Sequence, residues 1–86
     1  MTEVTMELVQ HFGVLSKNKR NWSKEVNLVR WNGRKAKFDV REWSEDRTKS
    51  GKGLTLTLEE VLKLKEILNN IDFEEPLMVE LGGGQE

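Results

Sequence analysis

Eighty-six residues allow one domain with one modest core, and an apolar share of 36% is thin even for that. No cysteine and a single histidine exclude a disulfide framework, thiolate chemistry and a typical transition-metal site. The net charge of −1 hides an asymmetry: Lys17 to Lys52 holds twelve cations, five acids and all three tryptophans, whereas residues 54 onward hold two cations and eight acids.

Val4 to Leu15 predicts a first strand. Its even-numbered Val4, Met6, Leu8, Phe12 and Val14 make one buried face, Gly13 marks a bend or bulge, and His11 points to solvent. Ser16 to Ser23 is a polar, basic loop ending in Trp22. Lys24 to Trp31 predicts a second strand, Asn32-Gly33 a tight turn, and Lys35 to Trp43 a third strand. A two-residue loop would set Leu28 opposite Lys37 and leave a half-charged core. One extra residue sets Leu28 opposite Phe38 and Trp31 opposite Lys35. Val26, Leu28, Ala36, Phe38 and Val40 then share one face, and Asn27, Val29, Trp31, Lys35, Lys37, Asp39, Arg41 and Trp43 the other. A one-residue slip exchanges the faces, so only the second register buries an apolar set. It also predicts a water-facing surface that carries two tryptophans among cations.

Ser44 to Gly53 predicts a polar loop, and Leu54 to Leu56 a short fourth strand. Thr57 and Glu60 form a capping box that opens a helix running to about Asn70. Its apolar residues Leu58, Val61, Leu62, Leu64, Ile67, Leu68 and Ile71 span roughly 220° at 100° per residue, twice the stripe needed to lie on one sheet. The surplus points to a helix–helix contact in a two-fold dimer, through Val61, Leu64, Leu68 and Ile71, or to a covering tail. Residues 1–71 are expected as the folded domain and 72–86 as an acidic tail, partly disordered. Pro76 breaks helix there, Leu77 to Leu81 forms a short strand or an irregular cover, and Gly82 to Glu86 is mobile.

No catalytic constellation is visible, and no metal or other cofactor is expected. Gly51-Lys52-Gly53 lacks the full phosphate-loop pattern, and one histidine with no spacing logic makes no triad. The clustering of Lys17, Lys19, Arg20, Lys24, Lys35, Lys37, Arg41, Lys49 and Lys52 suits a phosphate track, and Trp31 and Trp43 suit stacking on unpaired bases. Trp22 either caps the core edge or stacks in the same way. No apolar run reaches the roughly 20 residues that cross a bilayer. The N-terminus carries no secretory signal. A cytoplasmic, nucleoid-associated protein is expected.

The runs Val29-Arg30-Trp31-Asn32-Gly33, Phe38-Asp39-Val40-Arg41-Glu42-Trp43 and Gly51-Lys52-Gly53-Leu54-Thr55-Leu56 form one signature. They resemble the C-terminal domain of the transcriptional coactivator positive cofactor four, and still more its small bacterial single-stranded-DNA-binding relatives. The resemblance covers roughly Leu8 to Leu68. It implies an α+β fold, four antiparallel strands followed by one helix, assembled as a two-fold homodimer that binds single-stranded DNA largely without sequence preference and without enzymatic activity. Trp31, Arg41, Trp43 and Lys52 match the family's hairpin aromatic, strand arginine, strand-end aromatic and last-strand lysine. Ser44 stands where eukaryotic members carry a further aromatic. A transcription-associated protein-interaction module and an RNA-binding protein are the alternatives, with contacts to transcription machinery as a further expectation.

Overall fold

The computed structural model describes residues 5–74 and 79–82. Strands β1 (Met6–Lys17), β2 (Ser23–Trp31), β3 (Lys37–Trp43) and β4 (Ser50–Leu56) form one antiparallel sheet in the order β1-β2-β3-β4, and helix α1 (Leu58–Asn69) follows. The expected ββββα order is present. No helix among the described residues is long and apolar enough to cross a membrane.

The β2–β3 register is the expected one, which gathers an apolar set on one face of the sheet. Leu28 opposes Phe38 and Val26 opposes Val40. Asn32 and Gly33 both take positive φ (51° and 71°), the conformation a tight hairpin turn requires, and Trp31 O accepts from Arg34 N at 2.9 Å. The extra residue lies beyond that turn. Pairing stops at Val29 and Lys37, so Lys35 lies outside the ladder and does not pair with Trp31. Asn32 also ties the hairpin to the start of β1, donating to Thr5 O and accepting from Thr5 N, each at 2.8 Å.

β1 departs from simple alternation. Its register slips at Val9, Phe12 and Leu15, so twelve residues span the nine of β2. Each slip shifts the facing pattern by one residue. Leu8 and Val14 therefore oppose Val29 and Glu25, while Phe12 stacks on Phe38 with ring centroids 5.6 Å apart. The single apolar face expected for this strand is not formed, because every bulge resets the parity. Val4, expected to start it, lies outside the described residues. β4 starts at Ser50 rather than Leu54: Gly51 and Lys52 together oppose Glu42, so the expected glycine-lysine loop is a bulge within a strand.

Helix α1 has the expected cap. Thr57 Oγ1 accepts from Glu60 N (3.2 Å), and Glu60 Oε1 accepts from Thr57 N (2.9 Å). None of its residues is buried, and only Val61 is even partly covered. Leu58, Leu62, Ile67 and Leu68 are each about half exposed. The sheet face of Val26, Leu28, Phe38 and Val40 is likewise only partly covered. The chain exposes 7232 Å², against roughly 5,200 Å² for a compact monomer of this mass. Beyond the helix, Asp72 to Glu74 are irregular and Val79-Glu80 make a helical turn rather than part of a strand. The expectations for Pro76, Leu77 and the last four residues lie outside the described residues.

Candidate nucleic-acid interface

Directly opposed residues of an antiparallel sheet point to the same side. The face that carries Trp31 is thus built of rows running across the strands: Leu8, Val29 and Lys37; His11, Asn27, Asp39 and Thr55; Val14, Glu25, Arg41 and Gly53; Lys17, Ser23, Trp43 and Ser50. Its central members are closed to solvent. Val29, Asn27 and Asp39 are fully buried, and Glu25 nearly so.

Polar side chains tolerate that burial because they satisfy one another. Arg41 clamps Asp39 with two parallel bonds, Nε to Oδ2 at 2.7 Å and Nη2 to Oδ1 at 2.8 Å. Thr55 Oγ1 adds a third bond to Asp39, at 3.1 Å. The clamped guanidinium lies 5.0 Å from the centre of the Trp31 ring. Trp31 is rooted at the hairpin end, so its indole leans back over the sheet to reach Arg41. The Arg41 side chain in turn lies over Gly53. A Cβ at Gly53 would come 2.5 Å from Arg41 Cβ and 2.8 Å from Val40 O, so this row has room for glycine only.

A second network fills the centre. His11 Nδ1 lies 2.7 Å from Asn27 Oδ1, Asn27 Nδ2 donates to Glu25 Oε1 at 3.2 Å, and Ser23 Oγ donates to Glu25 Oε2 at 2.5 Å. Arg47 Nη1 closes it, also on Glu25 Oε2, at 2.8 Å. Burial alone would raise the Glu25 pKa. The bonds from Arg47, Ser23 and Asn27 and the Arg47 charge outweigh it and hold the carboxyl at about 2. Arg47 takes a positive φ of 62° in the β3–β4 loop, and its guanidinium lies 5.3 Å from the centre of the Trp43 ring. Asn21 Nδ2 donates to Glu45 Oε2 (2.8 Å), which ties that loop to the β1–β2 loop at the same end of the sheet. Trp22 stands there with Arg20 at 5.3 Å from its ring centre.

Residues 17–67 match the family described as Transcriptional Coactivator p15 (PC4). The chain belongs to the PC4 family. It is also 41% identical, over 68 residues covering 79% of this chain and 80% of the other, to an uncharacterized protein of Treponema pallidum (strain Nichols). PC4 proteins are a nucleic-acid-binding, non-enzymatic family. The matched segment contains the Asp39–Arg41 clamp, all of the second network except His11, and all three tryptophans.

Within this PC4 fold the expected interface residues separate into three groups. Lys17, Lys19, Arg20, Lys35, Lys37, Lys49 and Lys52 are exposed and make no ion pair among the described residues. Lys24 is exposed too, but it opposes Glu42 on the other face. There it joins Lys52 around an open groove of about 400 Å³ floored by Val40, Gly53 and Leu54. Arg41 is not a free charge: Asp39 neutralises it and its side chain is 14% exposed. Trp31 and Trp22 are half-buried, while Trp43, expected to face water, is only 7% exposed beneath Arg47. Its Nε1 is buried with no hydrogen-bond partner among the described residues.

The sequence reading missed Glu25, Asn27, His11, Asp39 and Arg47 as working parts. Asn27, Asp39 and His11 read as solvated because they are polar, and Glu25 has no local mark of its own. Their common parity on β2 and β3 was the available signal, since Glu25, Asn27 and Asp39 all fall on the tryptophan face. Nothing local marked Arg47, which reaches Glu25 across 22 residues of sequence.

Proposed function

We propose that this chain, as a homodimer, binds single-stranded DNA largely without regard to sequence, in transcription or DNA maintenance. The observation that carries the reading is the Trp31 platform. Its indole is held by a guanidinium that is itself clamped by Asp39, and Lys37, which makes no ion pair among the described residues, stands in the neighbouring row of the same face. A ring held in place loses little freedom when a base stacks on it, and stacking tolerates any base. Lys35 and Lys37, with Lys17, Lys19, Arg20 and Lys49 at the loop end and Lys24 and Lys52 at the groove on the opposite face, supply charge for phosphates. Asp39 and Glu25 are buried on the same face, which favours bases turned inward and phosphates outward toward the lysines. Duplex DNA hides its base faces and should bind more weakly.

The second copy is supported by area and pattern. The apolar arc of Val61, Leu64 and Leu68 on α1, with Ile71 just beyond it, adjoins a half-covered sheet face, and the excess accessible surface of roughly 2,000 Å² per chain, roughly 4,000 Å² for a pair, falls in the range that obligate two-fold interfaces remove.

Titration of a fluorescent oligothymidylate, with a matched duplex and a matched RNA as competitors, tests the reading. Strong binding to the single strand and weak binding to duplex are expected. No binding at low salt, or equal affinity for duplex, would overturn it. RNA competing better than DNA would reassign the ligand.

A further inference from the structure

We propose that Arg47 is a gate over a second nucleobase seat at Trp43. This rests on the single-stranded-DNA reading above and names a position that the free protein keeps closed. Three observations converge on it. The Trp43 indole is 7% exposed, and the Arg47 guanidinium lies over its ring, 5.3 Å from the centre. That side chain belongs to an exposed loop and is itself 41% exposed, so it can leave without unpacking the core. The indole N–H, at the edge of the ring, is buried with no hydrogen-bond partner among the described residues, so the surroundings of this ring are not fully satisfied in the free protein.

The exchange re-pairs the guanidinium and leaves the Glu25 carboxylate on neutral donors alone. A guanidinium stacks on an indole as a base does, so the two compete for the same ring face. When Arg47 swings out, it passes from the Glu25 carboxylate to a backbone phosphate, where planar, charge-assisted bonds form equally well. Glu25 keeps its bonds from Ser23 and Asn27. The incoming nucleotide thus brings both halves of the replacement: its base for the ring and its phosphate for the guanidinium. A free phosphate brings only one half, and a neutral aromatic only the other. The guanidinium on Trp31 cannot move in this way, because Arg41 is clamped to Asp39 by two bonds and is 14% exposed. The two seats differ accordingly: one is fixed, and one opens only for a nucleotide.

Fluorine NMR of the full chain carrying 5-fluorotryptophan tests this directly, with the three resonances assigned by single Trp→Phe variants. On titration with oligothymidylate the Trp43 resonance should shift together with that of Trp31. In Arg47→Ala, and to a lesser degree in Arg47→Lys, the Trp43 resonance of the free protein should become accessible to a soluble quencher before any DNA is added. A Trp43 resonance that stays fixed while Trp31 shifts to saturation would sink the gate and leave the binding function standing. It would mean that a base rests on the outer face of Arg47 or does not reach it. If no resonance moves and no binding is detected, the functional reading itself fails.

Discussion

At the scale of single residues, the interface is decided by who neutralises whom. Trp31 is positioned by Arg41, Arg41 by Asp39, and the arginine's course over the sheet by the missing side chain of Gly53. Trp31→Ala should therefore weaken oligothymidylate binding by about 1–3 kcal/mol and leave the salt dependence unchanged. Lys37→Ala should flatten the slope of log affinity against log salt by roughly 0.7, the value for one phosphate contact on a single strand. Equal effects of the two substitutions on that slope would contradict the division of labour. Gly53→Ala should cost about 1–3 kcal/mol in urea denaturation, because the new methyl group meets backbone on one side and Arg41 on the other. It should also bring the affinity close to that of Trp31→Ala. A Gly53→Ala protein that binds normally would show that the Arg41 support is dispensable.

At the scale of elements, β2 and the β3–β4 loop are joined through Glu25, and that junction titrates. The carboxyl sits at about 2 in the folded chain against an ordinary 4.5. A depressed acid contributes stability that is complete above its unfolded pKa and is lost as protons bind. Its share should thus disappear as pH falls from about 4.5 toward 2. Arg47→Ala removes the closest positive partner, so its acid unfolding, followed by circular dichroism, should begin at higher pH than in the parent. An unchanged acid midpoint would show that Ser23 and Asn27 hold the carboxylate unaided. Reading the elements from sequence succeeded where one local rule ruled. The capping box placed the helix start, and the parity of β2 and β3 placed their register. It failed on β1, where three bulges reset a parity that only pairing with β2 can fix, and on β4, where glycines that read as a loop form a bulge.

At the scale of the molecule, the single chain is unfinished. Its apolar helix and one sheet face stand largely open, while the polar face is the closed one. That inverts the usual arrangement, and the proposed second copy, covering the apolar side, would restore it. Leu64→Glu with Leu68→Glu should halve the mass measured by light scattering and lower the melting temperature, since each change sets a charge against its symmetry mate's apolar surface. A parent protein that is monomeric at high concentration would remove the basis for the paired assembly.

The sequence by itself determined the element order, the helix cap, the hairpin register and the concentration of cations around three indoles, because each follows from chemistry within a few residues or from the strict period of a strand. Which of those groups meets solvent was decided by tertiary structure. Arg41 and Trp43 carry the right chemistry for an open surface. Yet the arginine is held by Asp39 and the indole lies under Arg47, with the Arg47–Glu25 bond reaching across strands from a loop. Burial of a polar group depends on whether a partner stands opposite it, and partners are assigned only when strands pair and loops close.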